Sequence, residues 1–201
     1  MQPIRPTLEP RAFLKMACIF EGGLAVVALL IGNLVSIRPF EHLYWSGTAI
    51  SYGLLGTIPL LLVFSLGYRL PHKGLQRIRR MLLDMMGPLL AACSAGELFV
   101  LAFLAGLGEE ALFRGVAQPW AEQHWGVTGG LLVSNVLFGL AHAVTPLYAV
   151  MAALTGVWLG LMLDAGGERN LLTPIVVHAF YDFLAFLMLA AAYHAEHAEA
   201  P

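Results

Sequence analysis

The chain has 201 residues, 59% of them hydrophobic and only 12% charged, with a formal net charge of −2. A typical soluble domain is about 45–50% apolar and about 25% charged. The balance excludes a disordered chain, a basic nucleic-acid binder and a disulfide scaffold, and it predicts an all-α polytopic bundle of transmembrane helices. Cys18 and Cys93 lie in apolar runs without C-x-x-C spacing, so they read as packing residues.

A helix crossing about 30 Å of hydrocarbon at about 1.5 Å per residue needs about 20 mostly apolar residues. In chain order, the stretches 12–37, 47–68, 88–107, 127–143, 146–163 and 171–193 meet or approach that demand. The first is long, carries Glu21 and precedes further spans, so it reads as a retained anchor rather than a signal peptide. Arg5, Arg11 and Lys15 open it, while Arg69, Lys73, Arg77, Arg79 and Arg80 follow the second span. By the positive-inside rule both groups, eight of the eleven Lys and Arg, face the cytoplasm. After the second span, Leu75, Ile78, Leu82 and Met85 recur every three or four residues, with Arg77, Arg80 and Asp84 elsewhere around the turn. That pattern predicts a short interfacial helix on the inner leaflet, held partly by anionic lipid.

Gly87-Pro88 punctuates the chain before the third span, and Trp120 and Trp125 suit the headgroup level around a turn. The segment 108–118 is too short for its own crossing. It either extends a kinked helix past Gly106 and Gly108 or re-enters to line a cavity. The expected count is six membrane helices, with a seventh open. The chain reads as one membrane domain, 1–201, with N-terminal helices and the basic interfacial segment at 1–87 and a helical core of catalytic type at 88–193.

Polar residues intrude on this core in three places. Glu109, Glu110, Arg114 and Asp182 together oppose insertion by about 10 kcal/mol on translocon-type scales, so they need mutual pairing and a hydrated pocket. Glu110 and Arg114 are four apart and share a helix face, which predicts an ion pair; Glu109 is rotated about 100° away and is free for another task. Asn135, Phe138 and His142 form one stripe, and His178 and Asp182 lie one turn apart. Each cluster has a plain structural reading: an interfacial salt bridge, an interhelical hydrogen bond, a self-contained His–Asp pair. Glu21 and Glu97 read as solitary. Measured from a turn near Trp125, Glu109 lies 16 residues before and His142 17 after, so an antiparallel helix pair levels them. For His178 to join them, a tilt or a short fourth span is needed. Gly156 and Gly160 form a G-x-x-x-G that permits close helix approach, and Asp164, Glu168 and Arg169 read as a wet loop.

At these residues the sequence resembles the CAAX-protease and bacteriocin-processing (CPBP, or Abi) family of intramembrane proteases. The family's E-E-x-x-x-R, F-x-x-x-H and H-x-x-x-N/D motifs appear in order as Glu109-Glu110 with Arg114, Phe138 with His142, and His178 with Asp182. The resemblance covers about 107–183. It implies peptide-bond hydrolysis inside a helical bundle, with Glu109 activating water, His142 as its partner and His178 with Asp182 at the oxyanion. Glu110 and Arg114 match the pair that shapes the site, next to Phe138 and Asn135. Where Asp182 stands, the best-understood eukaryotic members carry Asn. An ionised Asp cannot donate a hydrogen bond, so Asp182 acts protonated or orients His178.

The expected function is an intramembrane endopeptidase acting on a membrane-presented peptide or protein, without a cofactor. The same Glu109, His142 and His178 offer a zinc-binding His₂Glu alternative. A non-hydrolytic immunity or regulatory protein that only binds peptide is a second reading. A proton-linked transporter is a third, weakened by the lack of inverted repeats. The expected partners are the lipid bilayer and a peptide, with no nucleic acid and the oligomeric state open. The expected location is a bacterial inner membrane with the N-terminus cytoplasmic.

Overall fold

The computed structural model describes residues 9–198, and Arg5 lies outside them. Among the described residues the fold is helical throughout. The helices are α1 (Pro10–Leu34), α2 (Gly47–Arg69), α3 (Lys73–Met85), α4 (Gly87–Ala91), α5 (Ala95–Leu112), α6 (Gln118–Ala141), α7 (Pro146–Met162) and α8 (Leu172–Ala198). A π-helical turn, Phe113–Ala117, joins α5 to α6.

Local chemistry sets the boundaries. Helix α1 starts with Pro10 in its first turn, where a missing N–H is harmless. It stops where Ser36 takes a left-handed conformation at φ 60°, while Val35 N–H and Ile37 N–H return to Ile31 and Gly32 carbonyls. Ser46 Oγ caps α2 and Thr145 Oγ1 caps α7. Ser94 and Glu97 close a reciprocal capping box at the start of α5.

That box corrects the reading of 88–107 as one span. The chain breaks after the short α4, and α5 starts afresh at Ala95. Glu97, expected to be a solitary lipid-buried acid, is an exposed capping residue. Of the two alternatives for 108–118, the extended helix is the one found. Helix α5 runs through the π-helical turn into α6 as far as Gly126, whose φ of 71° reverses the chain. The turn holding Trp120 and Trp125 is therefore itself helical.

By length and composition α1, α2 and α8 are long and apolar enough to cross a membrane, and α7 is a shorter apolar helix. The acids of α5 and the polar content of α6 keep those helices out of that class. The basic segment does form the amphipathic helix α3. Its inward side carries Ile78 and Leu83, while Met85, expected on the apolar face, is exposed.

Helix α8 is central, packing against α5, α2 and α4, while α1 lies along α5 and α7 along α6. Leu83, Leu90, Leu98 and Leu189 join α3, α4, α5 and α8 at one end; Leu163, Leu171 and Ile175 pack with Phe40 and Leu43 at the other. The exposure pattern is that of a lipid-facing bundle. Leu34 is 82% exposed, whereas Glu110 is fully buried and Arg114 is 1% exposed.

Candidate active site

The site is built where α5, α6 and α8 meet. Gly106 lets α8 approach, since a Cβ there would lie 3.0 Å from the Ala179 backbone nitrogen. Gly108 lies against the Glu21 carbonyl of α1 with no room for a side chain. These close crossings bring the carboxylates of α5 level with polar groups on both neighbours.

Glu110 and Arg114 form the expected ion pair, 3.1 Å apart with both side chains fully buried. The pair does not stand alone. Arg114 also donates to Asn135 Oδ1 at 2.8 Å and to the Gly156 carbonyl, and its guanidinium lies 4.8 Å from the centre of the Phe138 ring. Asn135 in turn donates to the Leu131 carbonyl. The glycine at 156 is required, because a Cβ there would lie 2.4 Å from Asn135 Oδ1. A desolvated guanidinium needs several acceptors, and here three elements supply them.

The same Glu110 oxygen that meets Arg114 lies 2.8 Å from His178 Nδ1, and His178 Nε2 lies 3.4 Å from Asp182 Oδ2. The imidazole is thus held between two carboxylates. The sequence pairs Glu110 with Arg114 and His178 with Asp182, but it does not signal that the two pairs join. Phe138 packs among these groups, stacked on His142 and edge-on to Phe113 and His178.

Glu109 faces elsewhere, as its rotation around α5 predicts. Its Oε2 lies 3.6 Å from His142 Nε2 and has no hydrogen-bond partner among protein atoms. His142 Nδ1 is 2.9 Å from the Phe138 carbonyl, which can only accept, so the Nδ1 proton is fixed there. In the neutral ring Nε2 then carries a lone pair. Two acceptors converge on one gap, and a water or substrate N–H is the kind of group that fills it. The levelling of Glu109 with His142 about a turn near Trp125 is therefore seen, with Gly126 as the pivot. The part of α6 beyond Gly126 is short, about 22 Å at 1.5 Å per residue, and this is how His142 and His178 both reach the cluster.

Glu109 and Asp182 also line a cavity of about 380 Å³ between α1, α5 and α8. Glu21 lines it too, with one carboxylate oxygen buried and unpartnered. Glu21 is therefore not solitary. Its lone position in an apolar run gave no sign of the contact, which depends on how α1 lies on α5. The remaining walls are mainly aromatic and aliphatic, among them Phe13, Phe20, Leu101 and Phe186.

The loop expected to be wet is exposed at Asp164 and Glu168, and its Arg169 also ties it to the bundle. Arg169 donates to Asp164 and to Glu122 of α6, and these hydrogen bonds raise its guanidinium pKa above the ordinary arginine value. For metal binding the fit is poor. Among the described residues no group of three or more His, Cys, Asp and Glu side chains is arranged to hold an ion. Both nitrogens of His178 already face carboxylates.

An apolar exterior around a buried acid–base cluster defines an integral membrane protein with an internal polar site. Residues 91–184 match the Rce1-like family, described as type II CAAX prenyl endopeptidase Rce1-like. Over this segment the chain is similar to the CAAX-protease family whose three motifs it carries, and all eight motif-linked residues from Glu109 to Asp182 fall within it. No significant match was found among curated proteins or solved structures.

Proposed function

We propose that the protein is an intramembrane endopeptidase in which Glu109 activates water against a peptide bond presented from the cavity. The family match supports an intramembrane protease in general. The observation that carries the finer reading is the gap between Glu109 Oε2 and His142 Nε2, two acceptors 3.6 Å apart beside the cavity. Water in that gap gives a proton to Glu109 as it attacks the carbonyl carbon, and His142 holds its other hydrogen. The leaving amine takes the proton back from Glu109.

His178 supplies the charge stabilisation. As the imidazolium, charged between two carboxylates, this ring carries a proton on each nitrogen: Nδ1–H donates to Glu110, and Nε2–H, oriented beside Asp182, is available to the developing oxyanion. Asp182 orients this ring rather than touching the oxyanion itself. Arg114 compensates Glu110, which keeps Glu110 available to His178 (a positioning role). Asn135 and Phe138 fix the guanidinium and both imidazoles. No step in this course needs a metal.

The substrate is a peptide or protein at the bilayer, with the enzyme in a bacterial inner membrane. The N-terminus and the basic helix α3 lie on the cytoplasmic side, where anionic headgroups attract α3. Replacing Glu109 or His142 by alanine is expected to abolish processing while leaving expression and peptide binding intact. Unchanged processing would leave a peptide-binding immunity or regulatory protein as the better reading. Purified protein is expected to carry no stoichiometric metal and to keep its activity in chelators; loss of activity that zinc restores would favour the His₂Glu alternative.

A further inference from the structure

The 380 Å³ cavity has a graded lining. Phe13 on α1, Met86 before α4 and Phe186 on α8 line one end, the end at which α1 starts and α8 approaches its close. Farther along the same helices stand Glu21, Glu109 and Asp182. Going inward, the walls are thus apolar first and acidic last. Glu109 is 9% exposed and Glu21 Oε2 is buried, and neither oxygen has a hydrogen-bond partner. Arg114 serves Glu110, Asn135 and Gly156, and the remaining arginine pairs lie on other elements. Among the described residues no Lys or Arg lines this cavity.

Carboxylates at membrane depth need a cation or a dense set of donors. An open apolar cleft ending in acids matches a side chain with a methylene stem and a charged head. We infer that the cavity is a specificity pocket for a lysine or arginine side chain beside the scissile bond, with Glu21 as the residue that selects it. This rests on the protease reading above and goes beyond it by naming a substrate feature. Glu21 lies outside the matched segment 91–184, so the selectivity belongs to this chain's own α1. The stem lies along Phe20, Leu101 and Phe186, the ammonium meets Glu21 and Asp182, and Glu109 is left for water.

The test uses the full chain in liposomes and quenched-fluorescent leucine–alanine peptides carrying one lysine at each position in turn. A matched set carries norleucine, which keeps the stem and lacks the charge. The expected result is a preference for lysine over norleucine at one position near the cut, about 10- to 100-fold in kcat/KM, the range of one charge-assisted hydrogen bond. Glu21→Gln is expected to collapse this ratio towards one and Glu21→Asp to restore most of it, a pattern that a general loss of folding does not produce. Binding of both peptides is followed by fluorescence anisotropy alongside. Cleavage of both sets at equal rates, unaltered by Glu21→Gln, overturns the pocket and leaves the protease. Tighter binding of lysine peptides that depends on Glu21, with no cleavage of any peptide, supports the pocket and overturns the protease. Equal binding and no cleavage overturn both.

Discussion

Arg114 is the side chain whose removal should be felt most. It is 1% exposed and compensates Glu110, which is fully buried. Removing one partner of a buried pair costs about 3–5 kcal/mol, because the other charge is left without compensation. Against a net stability of about 5–15 kcal/mol, Arg114→Ala is therefore severely destabilising. Replacing both partners by methionine removes the stranded charge. Glu110→Met with Arg114→Met should recover at least half of the lost stability in an SDS-titration assay of the purified protein. Activity should not recover, because His178 loses the carboxylate 2.8 Å from its Nδ1. A single Arg114→Ala variant within about 0.5 kcal/mol of the parent, or a double variant as unstable as the summed singles, would contradict the argument from buried charge.

Gly156→Ala places a methyl group against Asn135 Oδ1 and is expected to cost about 1–3 kcal/mol by overpacking, and to lower activity by displacing Arg114; paired stability and cleavage assays read both effects. Ser94→Ala removes the capping box at the start of α5 and should cost about 1 kcal/mol, with faster hydrogen exchange confined to the first turn. Ser36→Gly relieves a non-glycine residue at φ 60° and should stabilise by on the order of 1 kcal/mol, seen as a higher melting temperature. Arg169→Ala unties the α7–α8 loop from Glu122; the bridge is bidentate and partly buried, so the loss should be about 1–3 kcal/mol and should shrink in high salt.

The motif residues could be read from the sequence wherever chain geometry alone decided the outcome. Glu110 with Arg114 and His178 with Asp182 follow from helical spacing, and Glu109 with His142 follows from counting outward from a turn. Composition likewise gave the helical fold and the amphipathic α3. Contacts set by how helices cross were not legible. The Glu110–His178 link needs α8 pressed against α5 at Gly106, and the place of Glu21 needs α1 pressed against Gly108. Nothing local to position 21 distinguishes an acid facing lipid from one facing a cavity. The break before α5 was missed for a different reason. Hydropathy runs smoothly through 88–107, while a hydrogen-bonded Ser94–Glu97 box decides where the helix starts. The close approach at Gly156 was marked by G-x-x-x-G, but the pattern does not say that the carbonyl at 156 takes a hydrogen from Arg114.

The central claim is that Glu109 carries out hydrolysis inside the bilayer. Its most direct test compares the membrane peptidomes of a strain with the parent protein, a deletion strain and a Glu109→Ala strain with matched protein levels. The account predicts that the deletion and Glu109→Ala strains accumulate the same uncut species. A Glu109→Ala peptidome identical to that of the parent would contradict it.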